Sequence, residues 1–301
     1  MGIDNIQAEM ILHEHAYKPL QGRVLTVGRQ TVSVMPEQLA ALLKAYKLPQ
    51  RSELFEIDRT TVHTHMHHEQ MTDASFFLSF ADCTVQAVDI SDYEGAEIVH
   101  DIGQPVPDSL KNQFDFIYDG STLDNVFNPA QSIANLSSML RPGGRLLLHN
   151  WCSGHSAAYV LLSPDWYMDF FSLNNYADCK VYVVEYLASP RVWHYDPLVV
   201  YSGQQGYECS SNESASWCAV ICLAEKGEQS SSHINAVQKH YRNGKIEPYL
   251  SNAIKYHNSP RPIFHSRTVL APKETKSIST FNTLRLVCDW AAPAATLASS
   301  R

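Results

Sequence analysis

Four short apolar runs between Val85 and Trp151 constrain the fold more than any other feature of the chain. They are VQAVDIS, AEIVHDIGQPVP, FDFIYDG and MLRPGGRLLLHNW, and a small or acidic residue follows the apolar residues in each. Parallel strands that are covered on both faces lose the alternation of apolar and polar residues, so such runs are typical of a buried parallel sheet. The pattern predicts an open α/β sheet whose ligands bind beyond the carboxyl ends of the strands.

The composition of the chain favours a globular protein with reduced thiols and argues against a nucleic-acid partner. The chain has 301 residues, 45% of them hydrophobic, which is ordinary for a globular protein with a buried core. Its net charge of −8 argues against a nucleic-acid partner, because polyanions are bound by a surplus of Lys and Arg. We find no secretory leader and no run of about 18 apolar residues, so we expect a cytoplasmic protein with no membrane partner. The seven cysteines form no CxxC pair, which favours reduced thiols.

Capping and turn signals predict the remaining elements and a division of the chain. Helices are expected at Met10–Leu20, over MPEQLAALLKAYKLP, at Ala130–Leu140, after Ser163 and at His233–Tyr241. Strands are expected at Arg23–Val27 and, near the end of the sheet, in KVYVVEYL and SWCAVICLAE, with a polar insert from Pro190 to Ser214 between the last two. We expect residues 1–226 to form one α/β domain. Residues 227–301 are expected to be a polar, partly helical C-terminal extension with a disordered tail.

The order and spacing of these motifs resemble the class I S-adenosylmethionine-dependent methyltransferases. Gly28, Asp89, Asp101 and Asp119 follow one another at the ends of predicted strands, and LRPGGRLLLHNW resembles the turn and fifth strand of that family. DISDYEGAEIVHDI and GHSAAYVLLSPDWYMDFFSLNNY resemble an uncharacterised bacterial subgroup. The resemblance implies a Rossmann-like, doubly wound, mostly parallel sheet that ends in an antiparallel hairpin. It also implies S-adenosylmethionine as cofactor and methyl transfer to an oxygen or nitrogen of a small molecule or glycan.

The resemblance implies where the cofactor binds. Gly28 takes the place of the family's first loop glycine, whereas Arg29 and Gln30 replace later loop positions, so the glycine-rich loop is degenerate. Asp89 matches the acid that binds the ribose hydroxyls, and Asp101 matches the contact to the adenine. The implied cofactor site consists of Gly28, Arg29, Gln30, Asp89, Ile90, Asp101, Ile102, Asp119 and Gly120.

The catalytic and acceptor residues are expected in the loops after the fourth and fifth strands. His155 is the first candidate for a general base, because it follows the fifth strand and histidine titrates near neutrality. Asp119 is a second candidate. His149 lies within the strand and is expected to be a core histidine. The acceptor-binding candidates are Tyr159, Trp166 and Tyr167.

The run from His63 to His68 leaves an alternative open. His63, His65 and His67 would share one face of a strand, and imidazole is a common ligand of zinc, copper and nickel. No cysteine nearby completes a site, so we expect no metal; the run could instead cover the cofactor or shape the acceptor pocket. Two further hypotheses remain beside the methyltransferase: an inactive, methyltransferase-like binding or scaffold protein, and a metal-assisted enzyme that uses this run.

Overall fold

One eight-stranded sheet organises the part of the chain that can be described. The computed structural model describes residues 2–51, 70–153, 158–186, 190–196, 198, 217–238, 241–242, 247 and 249–266. The strands are β1 (Gln21–Val27), β2 (Asp82–Asp89), β3 (Ile98–Val99), β4 (Phe114–Gly120), β5 (Leu140–Ser153), β6 (Asp178–Tyr186), β7 (Arg191–Tyr195) and β8 (Trp217–Glu225). The helices are α1 (Asn5–Tyr17), α2 (Pro36–Tyr46), α3 (Asp73–Leu78), α4 (Pro129–Met139), α5 (Pro164–Leu173) and α6 (Tyr249–His257).

The strand order confirms the predicted open, mostly parallel sheet. It runs β3-β2-β1-β4-β5-β8-β6-β7, and β1 to β5 pair only in parallel with one another. The direction of winding reverses between β1 and β4, which is the point where open α/β sheets bind their ligands. Val27 pairs with both Val88 of β2 and Asp119 of β4. The residues that follow these three positions therefore meet at one edge of the sheet.

The far end of the sheet is antiparallel, as predicted. β8 lies between β5 and β6 and runs antiparallel to both, so KVYVVEYL and SWCAVICLAE do form neighbouring strands. β7 then pairs antiparallel with β6, from Arg191 opposite Glu185 to Tyr195 opposite Val181. The segment predicted as a polar insert from Pro190 therefore begins as an edge strand. Its sequence, RVWHY, carries the β-branched and aromatic residues that favour strands.

Both faces of the sheet are covered, which confirms the doubly wound architecture. Phe116 and Tyr118 of β4 point into a core shared with α1, α2 and α3. Ile117 points into the opposite core, which contains residues of α4, α5 and α6. This alternation along one strand explains why the strand is apolar at nearly every position.

Two helices begin at the carboxyl edge of the sheet. The Asn128 side chain accepts the backbone N–H of Gln131 at 3.2 Å at the start of α4. The Ser163 hydroxyl accepts the backbone N–H of Trp166 at 3.3 Å at the start of α5, which confirms Ser163 as its cap. Within the described residues, no helix combines the length and apolarity that crossing a membrane requires.

The helix predicted at His233–Tyr241 is wrong over residues 233–238. Residues 233–238 are irregular, because their backbone groups bond to side chains elsewhere. Asn174 accepts the N–H of Ile234 at 3.0 Å and donates to its carbonyl at 2.9 Å, and the N–H of Val237 donates to the Tyr249 hydroxyl at 3.2 Å. The helix of this region is α6 instead. The division of the chain at residue 226 stays a prediction.

A buried ion network ties the end of the described chain to the amino edge of the sheet. Arg261 donates from Nε to Asp178 Oδ2 at 2.6 Å, and its two terminal nitrogens contact Glu14 and Glu225. Glu14 also contacts Arg145. Arg261 and Glu14 are fully buried, so this network belongs to the core.

Candidate functional site

Gly28 lies at the reversal point between β1 and β4. Its φ of +74° belongs to the left-handed region, which glycine enters without steric penalty. Its N–H donates to the carbonyl of Val88 at 2.7 Å, which joins the end of β1 to the end of β2. A Cβ at this position would lie 3.3 Å from Oδ2 of Asp89. The backbone conformation therefore favours glycine here, and a side chain would also crowd the Asp89 carboxylate.

Asp89 and Ile90 present a carboxylate and an apolar surface at this edge. Asp89 is half-buried, and one of its oxygens faces Gly28 while the other accepts the N–H of Ser91 at 3.4 Å. Ile90 is 72% exposed directly beside it. An exposed apolar side chain next to a strand-end carboxylate can pack against a ring while the carboxylate binds hydroxyl groups.

Asp101 and Ile102 differ in accessibility. Asp101 is half-buried, and its Oδ1 accepts the N–H of Gly103 at 2.8 Å. Ile102 is buried in the core that contains α4 and α5. The structure therefore leaves part of Asp101 accessible and places Ile102 in the core.

Arg29 is held in ion pairs. Its Nη1 lies 3.1 Å from Asp73 Oδ1, and its Nη2 contacts Glu97 and donates to the Gly95 carbonyl at 3.2 Å. Burial raises the pKa of Asp73, although Arg29 acts in the opposite direction. Asp73 also accepts the N–H of Gln30 at 3.1 Å. The guanidinium thus fixes the loop after β1, and Asp73 is a residue of the site that the sequence motifs do not reveal.

Gln30 fills the notch between the ends of β1 and β4. Its Nε2 donates to the carbonyls of Val27 and Gly28 at 2.8 and 3.1 Å. Its Oε1 is buried and has no hydrogen-bond partner among the described residues. A Cβ on Gly120 would lie 2.1 Å from this oxygen, so Gly120 is required by close packing. A buried acceptor without a donor is costly, and a ligand donor entering the notch would remove that cost.

Asp119 is completely buried at the end of β4. Its two oxygens accept the N–H of Thr122 at 2.8 Å and the Asn150 amide at 2.7 Å, and Asn150 accepts the Tyr167 hydroxyl at 2.9 Å. Burial raises the pKa of Asp119 to about 7, and the nearby Asp124 carboxylate adds to the shift. These contacts let Asp119 position the loop after β4 rather than face a ligand directly.

Asp124 joins the loops after β4 and β5, and the sequence motifs gave no sign of it. Its carboxylate accepts the Ser121 hydroxyl and the N–H of Trp151, each at 2.8 Å. Its carbonyl accepts the N–H groups of Tyr159 and Val160 at 2.8 and 2.9 Å. Burial raises the pKa of the Asp124 carboxyl. The two loops are therefore tied together beside the reversal point.

The three predicted acceptor residues lie in different environments. Tyr159 is 64% exposed, and its ring centroid lies 5.9 Å from that of Phe127, which is 84% exposed. Trp166 is half-buried and lines a cavity between α4 and α5. Tyr167 has no exposed surface, so its place is in the core, where it orients Asn150.

Of the histidine candidates, the structure describes only His149. His149 is buried, its Nε2 lies 3.1 Å from the Tyr186 hydroxyl, and burial lowers its pKa to about 3, as suits a neutral core histidine. His155 and the run from His63 to His68 lie outside the described residues. In the part of the chain that the structure describes, no group of three His, Cys, Asp or Glu side chains is arranged to hold a metal ion.

Comparison with known proteins gives structural neighbours only. No family model and no curated protein matches the chain. Phosphoethanolamine N-methyltransferase 2 of Haemonchus contortus, solved with phosphomonomethylethanolamine and S-adenosylhomocysteine, is 11% identical with a TM-score of 0.38. The alignment covers 73% of this chain and 52% of that one, so the chain spans about half the length of that enzyme.

Two other neighbours are similar to the same degree. The O-methyltransferase of a polyketide multienzyme of Brevibacillus brevis, solved with S-adenosylhomocysteine, is 10% identical over 83% of this chain and 77% of its own, with a TM-score of 0.36. The branched-chain polyamine synthase of Thermus thermophilus, solved with N4-aminopropylspermidine and 5'-methylthioadenosine, is 12% identical over 79% of this chain and 62% of its own, with a TM-score of 0.34. At TM-scores this low, the function has to be inferred from the residues of this chain.

Proposed function

We propose that this protein is an S-adenosylmethionine-dependent methyltransferase acting on an oxygen or nitrogen of a small molecule or glycan. The observation that carries the proposal is the pairing of Gly28 with Asp89. A glycine with positive φ follows β1 directly, and a partly accessible carboxylate at the end of β2 faces it. This arrangement suits a ligand with a ribose diol, because one carboxylate can accept hydrogen bonds from two hydroxyl groups.

The charge of the surrounding loops fits a cationic cofactor. S-adenosylmethionine carries a positive sulfonium, and nearby carboxylates favour such a ligand. In the connections that follow β1 to β4, Arg29 is neutralised by Asp73 and Glu97, and Lys111 pairs with Asp108. The carboxylates in these connections include Asp92, Glu94, Glu97, Asp101, Asp108 and Asp124.

Several residues of this chain would hold the cofactor. Asp89 would bind the ribose, and Ile90 would pack against the base. The unpartnered Oε1 of Gln30 would accept a hydrogen bond from the amino group of the cofactor's methionine portion. The cofactor, when bound, supplies a methyl group on an already activated sulfur.

The protein's task is then to align the acceptor. Proximity and orientation can contribute up to about 7–11 kcal/mol to such a displacement. Asp119 would position the turn at Thr122, and Asp124 would hold the loop at Tyr159 against that turn. His155 would take the proton of a hydroxyl acceptor, since it lies in the short stretch between Ser153 and Ala158.

The test is calorimetric titration with S-adenosylhomocysteine. We expect the parent protein to bind it and Asp89→Ala to bind it about 10- to 150-fold more weakly, because charge-assisted hydrogen bonds contribute about 1.5–3 kcal/mol. Asp82→Ala is the control: it removes an exposed acid at the opposite end of the same strand, β2, and should leave the affinity unchanged.

Two results would contradict the proposal. Equal binding by Asp89→Ala and the parent would show that the site is misplaced. No binding by the parent would exclude the methyltransferase and leave the inactive, scaffold-like protein as the better hypothesis.

A further inference from the structure

A cavity of about 410 Å³ lies between the first turns of α4 and α5, beneath the irregular segment that contains residues 235–238. This volume falls in the range of small-molecule sites, which is roughly 300–1,000 Å³. Its lining residues are Ala130, Ile133, Ser163, Asp165, Trp166, Asp169, Phe170, Asn235, Ala236 and Gln238. None of these residues belongs to the Gly28–Asp89 edge.

The lining combines apolar walls with negative charge. Ile133 and Phe170 provide the apolar surface, and Asp165 and Asp169 contribute carboxylates. Among the described residues, no Lys, Arg or His lines the cavity. Asp169 is neutralised by Arg242, which lies behind it. Asp165 contacts the Tyr195 hydroxyl, and no ion pair involves Asp165 among the described residues. Within the described part of the chain, Asp165 is therefore the carboxylate of the cavity whose charge no cation neutralises.

Trp166 supplies an aromatic ring beside that carboxylate. It is half-buried, and its ring meets the ring of Tyr167 edge-on, with centroids 5.0 Å apart. Tyr167 is fixed in turn by its bond to Asn150, so the Trp166 ring packs on a rigid neighbour. Indole is the aromatic group that attracts cations most strongly. An aromatic ring and a carboxylate at adjacent positions form a receptor for an ammonium group.

The position of Asp165 in the first turn of α5 also suits the helix macrodipole. That effect explains an acid at this position, but an acid serves the dipole equally well when it points into solvent. The helix macrodipole does not explain an open cavity whose described lining contains a tryptophan and no cation. A ligand accounts for both features together.

We propose that the cavity binds a small organic amine with an apolar or aromatic body. The ammonium group lies against Asp165 and Trp166, and the body packs against Ile133 and Phe170. This inference goes beyond the proposed function, because the binding requires no cofactor.

The test compares three ligands that share one ring and differ in charge: tyramine, p-cresol and 4-hydroxyphenylacetate. Calorimetry on the full chain without cofactor should give a dissociation constant for tyramine at least tenfold below that for p-cresol, and no binding of the anion. Asp165→Asn should weaken tyramine binding about tenfold and remove the preference for the cation. Asp108→Asn, which changes a fully exposed acid at the other edge of the sheet, is the matched control.

A second substitution separates binding from folding. Trp166→Leu should weaken tyramine binding, and Trp166→Phe should restore most of it, with thermal midpoints confirming that each variant is folded. Equal affinities for tyramine and p-cresol would overturn the proposal, as would an unchanged affinity in Asp165→Asn or no tyramine binding by the parent at millimolar concentration. Failure here with intact S-adenosylhomocysteine binding would leave the proposed function standing.

Discussion

Gly28 and Gly95 provide a matched pair for testing the candidate cofactor site. Both have a φ of +74°, but their surroundings differ. A Cβ at Gly28 would lie 3.3 Å from Asp89 Oδ2 and 3.7 Å from Thr122 Oγ1, whereas a Cβ at Gly95 would meet nothing within 4 Å. Alanine at either position therefore imposes the same backbone strain, and only alanine at position 28 also disturbs the edge of the sheet.

The expected magnitudes follow from this difference. The left-handed conformation costs a non-glycine residue roughly 1–2 kcal/mol, so Gly28→Ala and Gly95→Ala should lower the free energy of unfolding by similar amounts. The two variants should differ in their affinity for S-adenosylhomocysteine. Gly28→Ala should weaken S-adenosylhomocysteine binding at least tenfold, about 1.4 kcal/mol, because its methyl group occupies the space that Asp89 faces.

Urea denaturation and calorimetry on both variants make the comparison complete. Gly95→Ala should keep the parent's affinity despite its lower stability. If the two variants lose the same affinity, strain alone accounts for the loss, and Gly28 is not part of the binding site. If Gly28→Ala binds as tightly as the parent, the proposed contact between ligand and loop is wrong.

Three further predictions concern the buried charges and the proposed base. Arg261→Met should lower the free energy of unfolding in urea by about 3 kcal/mol, because it leaves buried carboxylates without their partner. Arg191→Met, which changes an exposed residue, should alter this free energy by less than about 0.5 kcal/mol. Similar values for the two variants would contradict a structural role for the network. Burial raises the pKa of Asp119 to about 7, so the unfolded chain loses this proton at lower pH than the folded chain. Stability should therefore fall as pH rises from 4 to 7, by up to about 4 kcal/mol, and urea midpoints should show a flatter profile in Asp119→Asn. His155→Ala should lower turnover of a hydroxyl acceptor about 10²–10⁴-fold with cofactor affinity unchanged, and a loss below about threefold would make His155 a bystander.

The sequence predicted the parallel half of the fold well because its signals are local. Buried strands such as FDFIYDG are apolar throughout, and caps such as Ser163 act on the helix that follows directly. The helix expected at His233–Tyr241 failed for the opposite reason. Asn174 and Tyr249 bond to its backbone from distant positions, and no local pattern reports such partners.

In the candidate site, too, the sequence predicted what depends on local signals and missed what depends on long-range contacts. Asp89 and Gly28 end adjacent strands, so their proximity follows from the order of the sheet. The pairing of Arg29 with Asp73 joins residues 44 positions apart, and a motif that expects glycine at position 29 does not reveal it. Tyr167 lies in the core, and its buried hydroxyl finds its partner, Asn150, on another element. Side chains that serve a long-range contact were the ones whose environments could not be read from the sequence.

The placement of β8 has a consequence for biosynthesis. β8 is the last of the described strands along the chain, yet it lies between β5 and β6 and pairs with both. About 60 residues separate Ser153 from Trp217, so the ribosome needs roughly 3–12 s to make β8 after β5 is finished. During that interval the edge of β5 that later pairs with β8 has no partner strand. The nascent chain therefore passes through a period in which an unpaired strand edge can associate with other chains, and the period ends only when β8 closes the sheet.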